Sequence, residues 1–537
     1  MSGRLAALRG SDPQSLALGA VAAVSVLALL AALSSLVPEL YLNPDIASAP
    51  VIGSLMAHAP AGSVVTLGNY PWYEPLWLME ATRSLPAHRQ IWEAIPIVGS
   101  LLAIALVVWA ARRALGGWAA LVTAAILLST TGATRFVLLT PSAHWPNVLH
   151  VAVLAAVLVY LNGRRARLPT GTLVAGGVAL TIFTAAGATD TLFLVDGLLP
   201  FVVTALVGWW RTRHPVQRRI AVFSLAVGLG GLIGGLLLRA LMRHDHVIPT
   251  PFFHPAFIAS GSVGRNIETL LESFVAAGGG NFFGSAFHML SVLAFVAAVL
   301  TFVAGVKVVL GCWRAAPSLG RHVARVTPRS AAREAWLVFW GTTILVTCVA
   351  FVVTNLPDGV PSSRYLMTVY FGVASLLPWL VGRAARARTA VTAAVAAFAV
   401  IAVITLASEG RDAYGTPLSS SDIAAFTSYA ERSGLTVGYA DYATAPALTY
   451  ATGMKVDAFP VAPCGSTLCP FYLNTISSWY APRPDTSSFL IVDAATQNSY
   501  LPVTKPPAAF GSPAATEQFG DLTVYVYRRD IASDFGA

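Results

Sequence analysis

One carboxylate lies where the first apolar run of the sequence ends: Asp45, in ELYLNPDIASAP, residues 39–50. A positioned carboxylate can take a proton from a hydroxyl group and so act as a general base. The alternative is structural, because Asn43-Pro44-Asp45 is typical of a turn, and an aspartate there can simply cap it. The position favours chemistry, since an apolar segment and a loop with Arg and His residues follow directly.

Many other ionisable residues of the apolar part of the chain are predicted to lie on the same side of the membrane as Asp45, at the outer ends of the apolar runs and in the loops that join them. We call this region the rim. These residues are Glu74, Arg83, His88, Arg89, Glu93, Arg135, His144, Asp190, Asp196, His244, His246, His254 and Arg364. This pattern favours chemistry at a membrane surface over passage through the bilayer, because a transport pathway needs ionisable groups near the span centres. The three rim histidines between 244 and 254 lack a regular ligand spacing, so we assign no metal.

The composition indicates a membrane protein. The chain has 537 residues, of which 56% are hydrophobic and 11% charged, with a mean hydropathy of +0.67. Runs long enough to cross the hydrocarbon as helix recur along most of it. Eleven spans are predicted, near 15–38, 93–111, 117–133, 147–162, 169–189, 191–210, 220–241, 287–311, 334–354, 365–382 and 389–408.

The basic residues predict the orientation of these spans. The N-terminal segment and every second connection between spans together contain 19 of the 34 Lys and Arg residues. The acidic residues of these same segments are Asp12 and Glu334. Positive charge marks the cytoplasmic side, so we expect the N-terminus inside, the first span retained rather than cleaved, and residues 409–537 outside. The net charge of +9 is explained by these topology signals and by contact with anionic lipid headgroups, which removes the case for nucleic-acid binding.

Two units are predicted: residues 1–408, with long external loops at about 39–92 and 242–286, and an extracytoplasmic α/β domain at 409–537. In the first loop, IASAPVIGSLMAHA is weakly amphipathic and suits a short interfacial helix. The domain should contain a helix capped by Ser421 and ending near Gly434, a second helix in YATAPALTYATG, and strands in TVGYAD, KVDAFPVA, SSFLIVDAA and LTVYVYRR.

Two features of this domain carry functional predictions. Cys464 and Cys469 flank CGSTLC, and on the oxidising side of the membrane we expect them to form a disulfide. Four aromatic residues are candidates for stacking on sugar faces, although core packing is the alternative for at least half of them. They are Tyr439, Tyr442, Trp479 and Tyr480.

The sequence resembles the GT-C superfamily of integral-membrane glycosyltransferases, which use polyprenyl-phosphate sugars and carry an essential Asp in the first external loop. The resemblance is carried by Asp45, TRSLPAHRQIWE at the end of the first loop, GATDTLFLVDGLLP, PSSRYLMTVY before a late helix, and an α/β domain after the last span. It is greatest for the bacterial branch near the protein-mannosyltransferases and arabinosyltransferases of envelope synthesis. Because the early acid is a lone Asp rather than a pair, the acceptor of the protein O-mannosyltransferases does not carry over.

The resemblance implies a mostly α, polytopic GT-C-like fold and an inverting sugar transfer at the outer face, from a polyprenyl phosphate to a glycan, lipid or protein acceptor. Asp45 would be the base, and Arg364, beside Tyr365, would bind the leaving phosphate, with a headgroup or helix-end role as the alternative. The further candidates for substrate binding are Arg83, His88, Arg89, Asp190, Glu74 and His144. No cofactor is expected, although some relatives of the superfamily need a divalent cation.

Two other classes of function stay open at this point. A transporter or flippase for a lipid-linked substrate would share the charged rim but would need a polar path between helices. A non-catalytic protein of envelope assembly would keep the fold without turnover. Sugar transfer that is lost when Asp45 is replaced would distinguish an enzyme from both of these classes.

Overall fold

The structure is a computed structural model that describes residues 12–56, 58–68, 88–140, 145–164, 169–211, 214–250, 256–282, 287–319, 327–357, 359–382, 384–408, 419–496 and 501–536. Within these residues ten helices are long and apolar enough to cross a membrane, or eleven if one bent pair counts as a span. The predicted polytopic helical fold is therefore confirmed, as is a β-rich C-terminal domain.

The membrane part consists of the long apolar helices and the bent pair. They are α1 (Pro13–Leu40), α3 (His88–Ala114), α4 (Gly117–Leu128), α5 (Gly132–Leu138), α6 (Trp145–Asn162), α7 (Thr170–Gly187), α8 (Thr191–Arg211), α9 (Pro215–His244), α11 (Met289–Leu319), α12 (Pro328–Val353), α13 (Pro361–Val381) and α14 (Ala385–Ser408). α2 (Pro44–Met56) and α10 (Val263–Ala277) lie in the two long connections.

The third predicted span is not one straight helix. α4 and α5 meet at an angle of 93°. Thr131 causes the break, because its side chain accepts the Thr134 backbone N–H while the Thr134 hydroxyl accepts the Thr131 N–H, which forms a capping box and starts a new helix. α5 is thereby turned toward the first residues of α13.

Glycine allows two of the spans, α7 and α9, to approach each other closely. On α9, Gly231 faces Thr184 of α7, and Gly235 faces Ala188 just beyond its end. A Cβ at Gly235 would lie 2.6 Å from the Ala188 Cβ and 3.0 Å from the Ala188 carbonyl carbon. Small residues spaced by four therefore let the two backbones approach, as in other membrane helix pairs.

The two long connections meet the C-terminal domain in a small sheet. β1 (Val65–Leu67) pairs in parallel with β2 (Val247–Pro249) and antiparallel with β6 (Thr475–Ile476). Beyond the last pair, the Ser477 backbone N–H donates to the Val64 carbonyl at 2.8 Å. One short sheet thus joins the first loop, the second loop and the C-terminal domain.

The C-terminal domain is built on a six-stranded mixed sheet in the order β5-β4-β3-β7-β9-β8. Its elements are α15 (Ser420–Ser433), β3 (Val437–Ala440), α16 (Ala445–Ala451), β4 (Asp457–Cys464), β5 (Thr467–Pro470), β7 (Ser488–Asp493), β8 (Ala515–Phe519) and β9 (Leu522–Tyr527). β3 is parallel to both β4 and β7. The fully buried Phe426, Tyr439 and Phe489 fill its core.

The predicted segments of this domain form the expected elements, with two differences of detail. The N-cap position of α15 is Ser419 rather than Ser421, and the helix ends where Gly434 adopts φ 66°, a left-handed conformation that glycine adopts readily. Tyr439, Trp479 and Tyr480 are buried, so they pack in the core rather than present rings to a sugar. A disulfide joins Cys464 to Cys469 across the β4–β5 hairpin.

α2 is the helix that the sequence predicts at the membrane interface. It packs against α16, so the C-terminal domain covers one of its faces. Tyr450 of α16 stacks on Tyr41 with 4.6 Å between ring centroids. Its hydroxyl donates to the Glu93 carboxylate at 2.5 Å, and the Tyr41 hydroxyl donates to the Trp92 carbonyl at 3.0 Å. The domain is therefore attached to the first two spans by side chains as well as by the small sheet.

We expect Gly235→Ala to destabilise the protein, because the new methyl group would overlap the backbone at Ala188 and force α7 and α9 apart. Overpacking of this kind costs about 1–3 kcal/mol. Thermal unfolding in detergent, followed by tryptophan fluorescence, should show a lower midpoint. Gly176→Ala on α7 is the matched control, since a Cβ there meets no atom within 4 Å. Equal midpoints for the two variants would contradict the close approach.

Candidate active site

Asp45 lies in the first turn of α2, where Asn43 and Pro44 start the helix. The Asn43 side-chain oxygen accepts the Asp45 N–H at 3.0 Å, and its backbone carbonyl accepts the first helical N–H groups. Asn43 is thus the N-cap and Pro44 the first helical residue, both favoured positions for these residue types. Because the cap is Asn43, the Asp45 carboxylate is available for other contacts.

Two side chains from distant parts of the chain contact this carboxylate. The Arg364 Nη1 lies 3.5 Å from Asp45 Oδ2, and the Tyr442 hydroxyl donates to Asp45 Oδ1 at 2.9 Å. The Asp45 and Arg364 side chains are 26% and 29% exposed. Both charges therefore border open space instead of being sealed in the core.

Arg364 belongs to the short 3-10 turn Val360–Leu366 that begins α13. Its Nη2 donates to the Tyr365 hydroxyl at 3.3 Å, and its guanidinium lies 5.1 Å from the centre of that ring. Helix α10 supports the segment before this turn, because the Asn266 amide donates to the carbonyls of Val352 and Thr354 at 3.0 and 2.8 Å. Tyr365 thus contacts the guanidinium directly, while α10 holds the backbone that leads into its turn.

Tyr442 follows β3 and is aligned by Asn474, the residue before β6. The Asn474 Nδ2 donates to the Tyr442 oxygen and to the Ser48 hydroxyl, each at 3.1 Å. Its Oδ1 accepts the Gly68 N–H at 2.8 Å. Because β1 and β6 are paired, Gly68 and Asn474 must lie together, so the small sheet positions this amide directly beside α2.

The turn that holds Tyr442 is anchored by two buried carboxyl groups. Asp441 accepts the Thr496 hydroxyl at 2.6 Å and the Thr444 N–H at 3.0 Å, and Asp493 accepts the Thr444 hydroxyl at 3.2 Å. Burial raises the pKa of Asp441 and raises the pKa of Asp493 to about 6. The hydrogen bond from Thr444 to Asp493 thus connects a group that titrates near pH 6 to the turn that holds Tyr442.

Another buried carboxyl group contacts α13 one helical turn beyond Arg364. Asp196, in the π-helical turn Leu194–Leu198 of α8, accepts the Asn147 amide at 3.0 Å and the Thr368 hydroxyl at 2.8 Å. Thr368 is one helical turn beyond Arg364 on α13. Asp196 therefore links α6, α8 and α13 next to the site.

The other predicted site residues have separate outcomes. Asp190 is buried and caps the start of α8 by accepting the Leu192 N–H at 2.9 Å, so its predicted substrate role stays a prediction. His88 and Arg89 begin α3, but their side chains are not described. Glu74, Arg83 and His144 lie outside the described residues. Within the described part of the chain no group of three His, Cys, Asp or Glu side chains is arranged to hold a metal ion.

Sequence reasoning identified Tyr442 for sugar stacking rather than for a contact to Asp45, and it missed Asn474 entirely. The available signal for Tyr442 was its place directly after a predicted strand, where loop residues at a sheet edge often act. No local signal marks Asn474, because its role depends on the pairing of β1 with β6. The Asp45–Arg364–Tyr442 group is the candidate site: a base beside a cation.

The membrane bundle followed by this C-terminal domain has the GT-C fold, so the resemblance inferred from sequence is confirmed at the level of the fold. No protein-family model and no curated protein sequence matches the chain.

Among solved structures, the chain is similar to ArnT from Cupriavidus metallidurans in the apo state, with a TM-score of 0.53 and 14% identity over 96% of this chain and all of that one. ArnT bound to undecaprenyl phosphate matches with a TM-score of 0.52 and 13% identity, over 95% and 99% of the two chains. An oligosaccharyltransferase from Archaeoglobus fulgidus matches with a TM-score of 0.45 and 13% identity, over 85% and 65%.

We expect stability to fall as the pH rises from 4 to 7, in part through Asp493. With a folded pKa near 6 and an ordinary carboxyl pKa near 4, the folded protein binds more protons between these values. Its contribution is complete below the unfolded pKa and is lost as the pH rises through the folded one. Asp493→Asn should therefore gain thermal stability relative to the parent as the pH rises. The exposed Asp485→Asn is the control, and identical pH trends for both variants would refute the assignment.

Proposed function

We propose that the protein is an inverting glycosyltransferase that moves a sugar from a polyprenyl phosphate to an envelope glycan, lipid or protein acceptor at the outer face of the membrane. The contact between Asp45 and Arg364 carries the proposal, because a carboxylate can act as a base and a guanidinium beside it can bind a phosphate. The GT-C fold supports it, and so does the undecaprenyl phosphate bound by ArnT. The distribution of basic residues supports the outer face.

Asp45 has the chemistry that the acceptor requires. An acceptor hydroxyl has a pKa far above neutrality, so it becomes a strong enough nucleophile when a carboxylate takes its proton as the new bond forms. The oxygen then attacks the anomeric carbon of the sugar. With one carboxylate and no covalent intermediate, the attack is in line with the leaving group and inverts the anomeric configuration.

Arg364 has the chemistry that the leaving group requires. The bond between the anomeric carbon and the phosphate oxygen breaks with its electron pair on the lipid phosphate, whose charge grows during the step. A guanidinium placed in advance stabilises that charge with directed N–H groups. Tyr365 holds the same guanidinium and is the nearest support for its orientation.

Donor binding must change the pairing seen in the structure. Arg364 contacts Asp45, and the incoming phosphodiester of the donor competes for the same N–H groups. When the phosphate takes them, Oδ2 of Asp45 is released from the guanidinium. Binding of the donor therefore prepares the base. Arg83, His88 and Arg89 are proposed as further phosphate contacts, and Glu74, His144 and Asp190 as sugar or acceptor contacts.

We expect Asp45→Asn to lower turnover by roughly 100-fold to 10,000-fold, the usual contribution of a positioned general base, while binding of undecaprenyl phosphate persists.

Arg364→Gln should weaken both binding and turnover, because a phosphate contact exists in the ground state and strengthens in the transition state. Purified protein is assayed with a panel of polyprenyl-phosphate hexoses and pentoses and a cell-envelope extract as acceptor, with sugar transfer followed by mass spectrometry.

The matched controls are Asp245→Asn and Arg265→Gln, two exposed residues of the second long connection. Both should keep parental turnover. A folded Asp45→Asn protein that transfers sugar at the parental rate would rule out the proposed base. Movement of the lipid-linked sugar across vesicles without transfer would instead support the flippase alternative.

A further inference from the structure

The orientation of the Asn474 amide decides which way the Tyr442 proton points. Because the Gly68 N–H donates to one end of this amide, that end is the oxygen and the other is the NH₂ group. The NH₂ group can only donate, so the Tyr442 oxygen accepts from it at 3.1 Å. The phenol's own proton is then directed at Asp45 Oδ1, 2.9 Å away.

The Asp45 carboxylate therefore already accepts a hydroxyl proton at the distance that a general base needs for its substrate. We propose that Tyr442 occupies the place of the acceptor hydroxyl until an acceptor displaces it, and so prevents Asp45 from activating water. This inference rests on the proposed function. Tyr442 is a specificity-determining residue in this role, since it separates transfer to an acceptor from hydrolysis of the donor.

The reaction that Tyr442 suppresses is simple. A water oxygen bonds to the anomeric carbon while Asp45 takes one water proton, and the bond from that carbon to the phosphate oxygen breaks with its electron pair on the lipid phosphate. The products are free sugar and polyprenyl phosphate, and Asp45 then returns the proton to solvent. Nothing else is consumed, so a donor bound beside an uncovered carboxylate is open to this loss.

The Tyr442 side chain can leave without movement of its domain. The domain is attached by the short pairing of β1 with β6 and by the packing of α16 on α2, and Tyr442 belongs to neither of these elements. The Tyr442 ring is partly exposed and lies 5.5 Å from the Phe471 ring, centre to centre. Rotation of this one side chain exchanges its hydroxyl for that of an acceptor, which makes the same hydrogen bond.

The test uses Tyr442→Phe, which keeps the ring and removes the hydroxyl. Full-length protein is incubated with the polyprenyl-phosphate sugar that the parent accepts, without acceptor, and free sugar is measured. We expect release to rise by about tenfold or more over the parent, a modest part of what a general base contributes. Asp45→Asn combined with Tyr442→Phe should abolish the gain. Tyr525→Phe, on β9 of the same domain, is the matched control and should behave as the parent.

Transfer to acceptor is measured in parallel and should be retained in Tyr442→Phe. Release of free sugar by Tyr442→Phe at the parental rate, with or without loss of transfer, would overturn the inference. Transfer by the parent and its loss in Asp45→Asn would still leave the proposed function intact. If neither the parent nor any variant consumes a donor, the proposed function fails and this inference fails with it. Circular dichroism and gel filtration confirm that each variant is folded.

Discussion

The negative charge of Asp45 is the feature on which the site depends. A carboxylate at the junction of membrane helices and a folded domain loses part of its water, so it needs a cation and hydrogen-bond donors. Arg364 supplies the cation from the membrane bundle, and Tyr442 supplies the donor from the C-terminal domain. Asp45 and Arg364 are also the two groups that the proposed base-catalysed transfer from a lipid phosphate would use, so the pairing that satisfies this charge also brings the proposed chemistry together.

The small sheet makes this arrangement possible. β1 and β2 come from the two long connections and β6 from the C-terminal domain, so their pairing brings three distant segments to one edge. Asn474 and Gly68 then meet, and the amide between them orients Tyr442 and Ser48. A site assembled from a loop, a helix start and a separate domain is complete when all three are docked.

The similarity to ArnT at 14% identity shows how little sequence the fold requires. Apolar spans of the right length and small residues at helix contacts, such as Gly235 on α9, are features that many different sequences can provide. Polar residues inside it follow stricter rules, because each needs a partner in the absence of water. Asp196 meets this need through Asn147 and Thr368, and it does so one helical turn from Arg364.

The sequence by itself determined the apolar spans and, in the C-terminal domain, two helices and the strands β3, β4, β7 and β9, and it selected Asp45 and Arg364 as candidates for the site. These follow from local properties: hydropathy over some twenty residues, alternation along a strand, and a charge at the end of an apolar run. Tertiary structure alone decided that Asn43 rather than Asp45 caps α2, that the third span bends at Thr131, and that Tyr442 contacts a residue 397 positions away. Those outcomes depend on which segments pack together, and periodicity carries no information about partners so distant in the chain.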